Sequence, residues 1–438
     1  MKSDFRPIHY LGSKLRLLNF IQETIDSINP SKGIVCDLFS GSGVVSKHLS
    51  LTRPVISNDI QEYSRILSSA LLLPYKKVNF ENIDVINSEI YKKIYFLFEP
   101  LILYEEKSLN KLKENKVESI AELISYGSLK NFRFKKKEIF NTIFRTALDE
   151  TNKRIDNSDL NNSNKIMITR YYGGVYFSFS QAIILDALLE IKESLPEQSK
   201  NIFHAAILST ASDIVNTVGK QFAQPLNLLN RNGENKVNLS KKILSDRKLD
   251  VLVIFKDWLN KYNNQEKSPF NNSVFRLDYE DVLNDDLNIS VVYADPPYTR
   301  YHYSRYYHVL ESISLRDNPQ VTTIKLSGKE TISKGIYRED RHQSPFGLKS
   351  ESDHAFDTLF RKTANIKASL ILSYSPYDDN SKATPRVQTI ENLQNMAKKY
   401  FKSVELVSFG QFSHSKLNKA DLHVDASDTA ELLLVCKN

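Results

Sequence analysis

Apolar positions near the start of the chain change from a helical spacing to short continuous runs. Over residues 14–28 apolar side chains recur every three or four positions, which predicts a helix. The apolar run 33–39 precedes a glycine-containing turn, a helical pattern at 44–51 and a second apolar run at 54–59. Strand, turn, helix and strand in this order are typical of the beginning of a parallel α/β sheet.

The middle of the chain has a different pattern. Helical periodicity predominates from residue 76 to 270, with long segments at 181–195, 201–215 and 248–262. Stretches rich in Asn, Ser and Lys separate these segments and are typical of solvated loops. The pattern therefore predicts a separate, largely helical domain over 76–270, inserted into the first one.

Strand patterns return after the insertion. Five short apolar runs predict strands at 273–278, 289–295, 368–375, 403–409 and 431–437. Helical patterns lie at 304–315 and 390–401, and the final two strands are predicted to pair antiparallel. We therefore expect an α/β fold with a doubly wound, Rossmann-like core: a mostly parallel sheet with an antiparallel C-terminal edge, formed by residues 1–75 and 271–438.

Composition limits the possible classes of protein. Of 438 residues, 41% are hydrophobic, which is enough for a large core and excludes a disordered or fibrous chain. The 59 basic and 52 acidic residues give a net charge of +7, which suits a polyanionic partner. Two cysteines exclude a disulfide framework, and no histidine spacing is typical of metal ligands, so no metal is expected. Without a leader-like or membrane-spanning apolar segment, we expect a cytoplasmic protein with no membrane partner.

The first candidate site is the turn DLFSGSG at 37–43. Gly41 and Gly43 follow a predicted strand and precede a helix, where missing Cβ atoms allow a ligand to approach the backbone. Asp59, at the end of the second predicted strand, occupies the position from which a carboxylate can bind ribose hydroxyls. Together these residues favour an adenosine-containing ligand, although glycine in such a turn also has a purely steric explanation.

The second candidate site is ADPPY at 294–298. An apolar strand ends at Asp295, and Pro296 and Pro297 prevent helical continuation of the backbone. The carboxylate of Asp295 and the carbonyl of residue 296 can both accept hydrogen bonds from one exocyclic amino group. Tyr298 offers a flat face on which a base can stack. The simpler interpretation is a Pro-Pro turn that ends a strand.

Basic residues beside aromatic ones follow this segment. Arg300, Tyr301 and Arg305 are candidates for contacts with a nucleotide or its flanking phosphates. A buried helix face with solvated arginines at its start is an equally acceptable interpretation. The basic run 128–137 and the polar segment 334–345 are further candidates for DNA contact, or else ordinary surface.

Four motifs occur in a characteristic order: YLGSK at 10–14, DLFSGSG at 37–43, VISND at 55–59 and ADPPY at 294–298. In this order the sequence resembles the Dam-like DNA adenine-N6 methyltransferases of the D12 class. The resemblance implies S-adenosylmethionine as cofactor, double-stranded DNA as partner, and target recognition by the insertion 76–270. Because a stacked adenine cannot reach such a pocket, base flipping is also expected.

The resemblance also implies roles for individual residues. Those expected to bind the cofactor are Tyr10, Gly12, Lys14, Asp37, Phe39, Gly41, Gly43, Asp59, Asp278 and Tyr279. Lys14 is expected near the methionine carboxylate of the cofactor, and Asp281 is an alternative to Asp278 because LDYEDVL permits either register. The amino-group clamp would comprise Asp295, Pro296, Pro297 and Tyr298.

Three other functions remain open at this point. The same core can methylate an exocyclic amine of RNA, or N4 of cytosine, although relatives acting on cytosine more often carry Ser in place of Asp295. A catalytically silent DNA-binding relative and a nicotinamide-dependent oxidoreductase are alternatives, the latter leaving ADPPY unexplained. Pairing with a restriction endonuclease and the recognition sequence are both left open by the sequence.

Overall fold

The computed structural model describes residues 5–130, 139, 141–228, 236–297, 303–326, 328–374, 387–408 and 432–438. The chain forms two compact units. The first comprises Met1–Leu73, Glu266–Tyr303 and His342–Asn438, and the second comprises Pro74–Gln265 and Ser304–Arg341. None of the helices in these described ranges is long and apolar enough to cross a membrane.

Nine strands occur in the described part of the chain. They are β1 Val35–Asp37, β2 Val55–Asn58, β3 Ser273–Phe275, β4 Val291–Ala294, β5 Thr323–Leu326, β6 Lys329–Ile332, β7 Ser369–Tyr374, β8 Ser403–Ser408 and β9 Leu432–Lys437. Seven of them form the sheet of the first unit, in the order β3-β2-β1-β4-β7-β9-β8. The first five strands in this order run parallel, whereas β9 pairs antiparallel with both β7 and β8.

Helices cover both faces of this sheet. Those of the first unit are Leu18–Ile28, Val44–Leu49, Glu62–Leu72, Tyr279–Val282, Ser352–Asn365 and Ile390–Ala397. Side chains alternate along β4, so that Val291 packs in the layer containing Ile21 while Val292 packs in the layer containing Phe356. A strand buried on both faces explains why β1 and β4 are nearly continuous apolar runs in the sequence.

The second unit is mainly helical. Its helices are Glu89–Lys113, Glu118–Tyr126, Thr142–Asp156, Met167–Tyr172, Phe179–Glu193, Glu197–Ile214, Val237–Asp246, Val251–Asn263 and, from its second residue on, Tyr303–Leu315. Phe98, Phe144 and Phe179 lie in one fully buried cluster of this unit. The antiparallel hairpin of β5 and β6 also belongs to it.

The predicted α/β fold, with a mostly parallel sheet and an antiparallel edge, is confirmed. One detail of the edge differs from the simplest expectation. The C-terminal strand β9 is inserted between β7 and β8, so that β8, the earlier strand, forms the edge. Strand order depends on pairing across the sheet, which an apolar run does not specify.

Residues 304–341 differ from the sequence-based assignment, which placed them in the catalytic domain. In the structure they belong to the second, helical unit. Polar contacts fix them there: the hydroxyl of Tyr172 donates to Ser312 Oγ at 2.8 Å, and Arg316 is paired with Glu190 at 2.6 Å. These contacts join residues more than 100 positions apart, so local periodicity carries no sign of them.

Candidate active site

The two chemically informative motifs follow neighbouring strands of the sheet. β1 and β4 are parallel, with Asp37 opposite Tyr293. The carboxyl ends of parallel strands lie at the same edge of a sheet, where α/β proteins bind ligands. The backbone N–H of Leu38 donates to the carbonyl of Tyr293 at 2.9 Å, which continues the pairing to the start of the glycine turn. The turn 38–43 and the segment 295–297 therefore lie side by side.

A cleft at this edge is lined by three segments of the first unit and one tyrosine. Its lining residues include Tyr10, Gly12, Lys14, Asp37, Phe39, Ser40, Ser42, Asp295, Pro296, Pro297 and Tyr303. Eight residues that were predicted to bind the cofactor or to form the clamp, from distant parts of the sequence, thus line one cleft. The lining combines backbone, aromatic and charged groups, as ligand sites commonly do.

A lysine is paired with the first residue of the ADPPY motif. Lys14 Nζ lies 2.9 Å from Asp295 Oδ2. The lysine side chain is 7% exposed and that of the aspartate 21% exposed. A nearly buried ammonium group needs a counter-charge, which the carboxylate of Asp295 supplies. The pair therefore holds this carboxylate at the wall of the cleft.

The glycine turn has a conformation that few other residues adopt. Gly41 and Gly43 have φ angles of 53° and 75°, in the left-handed region. A Cβ atom on Gly41 would lie 2.7 Å from the ring of Tyr10, so the turn and the segment 10–14 are packed without space for a side chain. Asp59 fixes this geometry because its carboxylate accepts hydrogen bonds from the N–H groups of Gly41 and Gln61, both at 2.9 Å.

Burial raises the pKa of the Asp59 carboxyl, and the two backbone donors oppose that rise. The carboxylate also accepts a hydrogen bond from the side chain of Ser64, which leaves capacity for about one further donor. Asp59 thus supports the turn directly, a function that the sequence analysis did not assign to it.

Asp37 lies buried at the end of β1. The hydroxyl of Ser46 donates to its Oδ2 atom at 2.6 Å. Burial raises the pKa of Asp37 to about 7; the charges of Asp295 and Asp59 act in the same direction, and the Ser46 hydrogen bond opposes them. Three carboxyl groups therefore influence one another at this edge, with Lys14 beside one of them.

An aromatic group lies beside the turn. The ring of Phe39 is 6.0 Å from that of Tyr279 and 5.3 Å from that of Phe346, measured between centroids. Asp278 begins the helix Tyr279–Val282, where its side chain accepts from the N–H of Glu280 at 3.0 Å. Asp281, the alternative register, is exposed. The structure therefore brings Asp278 and Tyr279 next to Phe39.

Two residues near this group were missed by the sequence analysis. Phe346 packs edge to face on Tyr279, with centroids 5.0 Å apart. Burial lowers the pKa of His342, and the charges of Asp278 and Asp59 partly counteract that effect. Phe346 belongs to no motif, and His342 lies in the segment 334–345, which was considered only for DNA contact, so the fold alone relates them to this group.

The remaining predicted residues are Tyr298, Arg300, Tyr301 and Arg305, together with the basic run 128–137, of which residues 131–137 lie outside the described ranges. The first three lie outside the described residues. Arg305 is exposed on the helix Tyr303–Leu315, within the second unit. In the ranges that the structure describes, no group of three or more His, Cys, Asp or Glu side chains is arranged to hold a metal ion.

Comparison with known proteins adds an independent finding. The sequence model described as "D12 class N6 adenine-specific DNA methyltransferase" matches residues 10–188 and 228–373 of this chain. The matched ranges include the glycine turn, Lys14 and Asp295. No solved structure matches the chain.

Two curated relatives match most of the chain. One is "Modification methylase LlaI" from Lactococcus lactis subsp. lactis, 24% identical over 98% of this chain. The other is "Type II methyltransferase M.FokI" from Planomicrobium okeanokoites, 24% identical over 84% of this chain. The alignments cover 55% and 44% of those proteins, so the chain spans about half the length of the relatives it matches.

Proposed function

The chain belongs to the D12 class N6 adenine-specific DNA methyltransferase family, and from this premise we propose that it transfers a methyl group from S-adenosylmethionine to N6 of adenine in double-stranded DNA. The observation that carries the proposal is the cleft shared by the glycine turn and the Asp295 segment. A methyl donor bound at the turn would meet a base amino group held at Asp295 within that cleft.

The residues at the turn suit the proposed cofactor. Phe39 lines the cleft and offers aromatic surface for an adenine ring, and the buried rings of Tyr279 and Phe346 pack against it. Asp59 has the acceptor capacity that ribose hydroxyls require. The residues proposed to hold the cofactor are Tyr10, Gly12, Lys14, Asp37, Phe39, Gly41, Gly43, Asp59, Asp278 and Tyr279. When bound, S-adenosylmethionine supplies a methyl group on a positively charged sulfur.

Asp295 is the proposed acceptor for the target base. Its carboxylate accepts a hydrogen bond from the adenine amino group, as does the carbonyl of Pro296, which draws N6 towards a pyramidal geometry suited to attack. Pro297 limits the backbone to one conformation, and Tyr298 provides the stacking surface. The ion pair with Lys14 holds the Asp295 carboxylate in place. After transfer, the N6 proton leaves through Asp295 to water.

The target adenine has to leave the double helix to reach this cleft. Extrusion costs a few kcal/mol, which stacking in the pocket and contacts to phosphates offset. We assign the latter contacts, and the choice of target sequence, to the second unit, in which nine helices and one hairpin are described. The net charge of +7 supports a polyanionic substrate.

The direct test supplies the purified chain with methyl-labelled S-adenosylmethionine and duplex DNA, followed by nucleoside analysis of the product. We expect label in N6-methyl-2′-deoxyadenosine from wild type and loss of transfer in Asp295→Ala, with cofactor affinity retained. Label in N4-methyl-2′-deoxycytidine would make cytosine the substrate, and label in RNA from a parallel reaction, with none in DNA, would make RNA the substrate. Cofactor binding without any transfer would indicate a silent relative.

The names of the relatives also suggest a biological setting. "Modification methylase" and "Type II methyltransferase" describe proteins of restriction-modification systems. We propose that this chain protects DNA from a partner restriction endonuclease. DNA from cells that express it should then resist cleavage at the methylated sites, whereas DNA from cells expressing Asp295→Ala should be cut.

A further inference from the structure

Two arginines of the second unit lie over the ring of one tyrosine. The guanidinium carbon of Arg305 is 5.6 Å from the centroid of the Tyr337 ring, and that of Arg341 is 5.0 Å from it. Two hydrogen bonds hold this tyrosine in place. Its hydroxyl donates to the carbonyl of Ala223, and its backbone N–H donates to Ser333 Oγ at 3.3 Å. A fixed ring therefore orients both guanidinium groups.

The nearby carboxylates do not neutralise this pair. Asp317 and Asp340 accept hydrogen bonds from Arg338, at distances of 2.7 to 2.9 Å. Arg341 donates instead to two neutral acceptors, Thr322 Oγ1 at 2.9 Å and the carbonyl of Arg338. Within the described residues, neither Arg305 nor Arg341 forms an ion pair with an acidic side chain.

The positive charges affect the pKa values of neighbouring groups. Burial lowers the pKa of Arg341 and the positive charge of Arg305 lowers it further, whereas the charges of Tyr337 and Asp340 act in the opposite direction. His308, whose ring is 5.1 Å from that of Tyr337, has a pKa lowered to about 3 by burial, with Arg341 and Arg338 contributing. The imidazole beneath the cluster is therefore neutral, so the positive potential at this place comes from the arginines.

We propose that Arg305, Tyr337 and Arg341 form a binding site for backbone phosphates of duplex DNA. The inference rests on the proposed function and adds the place where the second unit contacts the substrate. Guanidinium groups bind phosphate oxygens through paired N–H donors, and a ring that orients them reduces the entropy lost on binding. Arg305 is exposed, and Arg341 is half-buried, so an incoming phosphate can reach both.

The experiment measures binding of a fluorescent duplex by anisotropy as a function of salt concentration. Each phosphate contact contributes about 0.9 to the slope of log affinity against log salt. R305Q/R341Q should therefore reduce that slope by about 2 and weaken binding on the order of ten-fold or more, for every DNA sequence alike. R305K/R341K retains both charges and should retain the slope.

Arg154→Gln is the matched control. Arg154 also lies in the second unit and over an aromatic ring, 4.8 Å from the centroid of Phe96, but it is paired with Glu99 and Glu150, both at 3.1 Å. Removing this balanced charge should leave the salt slope unchanged. An equal effect in Arg154→Gln would show that any lost cation acts through the general charge of the protein, and would overturn the site.

The failure of this inference and that of the proposed function are distinguishable. A wild-type protein that neither binds nor methylates duplex DNA contradicts the proposed function. A wild type that does both, together with an unchanged slope in R305Q/R341Q, contradicts only the phosphate site. If the double variant fails to fold, R305Q alone decides, since Arg305 is exposed: its slope should fall by about 1.

Discussion

Lys14 links two segments of the proposed active site, because its ammonium group lies 2.9 Å from Asp295 while nearly buried. Lys14→Met removes this ion pair and with it the orientation that it gives to the Asp295 carboxylate. We expect methyl transfer to fall on the order of 100-fold, measured as kcat with saturating cofactor. Lys14→Arg, which retains the charge, should recover part of the rate.

Lys47→Met is the control for this prediction. Lys47 lies on the helix Val44–Leu49 of the same unit and donates to the backbone carbonyl of Glu266. Its replacement should leave kcat near the wild-type value. Full activity of Lys14→Met would mean that the ion pair has no part in the reaction.

Asp37 provides a prediction on pH. Its pKa is about 7 in the folded protein, above its ordinary value, so the folded state binds its proton more tightly than the unfolded state does. Protonated Asp37 therefore contributes to the free energy of unfolding. This contribution is fully present below about pH 4, and it is lost as pH rises through 7 and the buried carboxyl ionises. Asp37→Asn removes this loss, so the variant should gain stability relative to wild type over that range, by up to about 4 kcal/mol.

Chemical denaturation at a series of pH values measures this effect. Asp186, in the second unit, also has a pKa raised to about 7 by burial, and it remains present in both proteins, so it cancels in the difference. A stability difference between Asp37→Asn and wild type that stays constant from pH 4 to 8 would contradict the prediction.

At the scale of the element, the glycine turn depends on both its backbone conformation and its close packing. Gly41→Ala places a Cβ atom 2.7 Å from the Tyr10 ring in addition to the strain of a positive φ angle. Gly328→Ala, between β5 and β6, has a φ angle of 79° with nothing within 4 Å, and so measures the strain alone. We expect about 1 to 2 kcal/mol of destabilisation at Gly328 and more at Gly41.

The two variants should also differ in ligand binding. Gly41→Ala displaces the segment 10–14, so calorimetric titration should show weaker binding of S-adenosylmethionine, whereas Gly328→Ala should bind like wild type. Equal cofactor affinity in both variants would argue against the turn as the cofactor site.

The elements that the sequence predicted are those with a local signal. β1 and β4 are apolar runs buried on both faces, and the turn after β1 contains the glycines that its φ angles require. The hairpin of β5 and β6 was not predicted. Its β-branched residues flank Gly328, which is a hairpin signal, but many of its side chains are exposed and so lack an apolar alternation.

The candidate site, like the elements, was predictable only where its residues belong to a local motif. Motif order identified the segments around Gly41 and Asp295, and parallel pairing of adjacent strands explains why they share a cleft. The direct contact of Lys14 with Asp295 and the packing of Phe346 on Tyr279 were not predictable, because each joins positions dozens to hundreds of residues apart. Such contacts depend on the complete fold.

At the scale of the whole molecule, the second unit contains a buried ion pair that connects several of its segments. Arg247 is paired with Glu105, and neither side chain has more than 4% exposure. Arg247 also donates to the carbonyl of Gly174 at 2.8 Å, and Glu105 accepts from the N–H of Phe179 at 2.7 Å. One pair thus connects the helices Glu89–Lys113, Phe179–Glu193 and Val237–Asp246 with the Gly174 turn.

Arg247→Met should destabilise the second unit by about 3 to 5 kcal/mol, because it leaves the Glu105 carboxylate buried without a counter-charge. Burial already raises the pKa of Glu105 and Arg247 opposes that rise, so the loss should increase as pH rises and the carboxyl is forced to ionise. Hydrogen exchange should accelerate in peptides of the second unit, whereas β1 and β4 of the first unit stay protected.

The double variant Glu105→Gln/Arg247→Met separates charge from packing. It removes the unpaired charge and should recover much of the stability lost in Arg247→Met. Arg154→Met, which removes a partly exposed ion pair of the same unit, should cost less than about 1 kcal/mol. If the double variant were no more stable than Arg247→Met, the lost packing of the arginine, rather than the unpaired charge of Glu105, would be responsible. In that case the stability lost in Arg247→Met should not depend on pH.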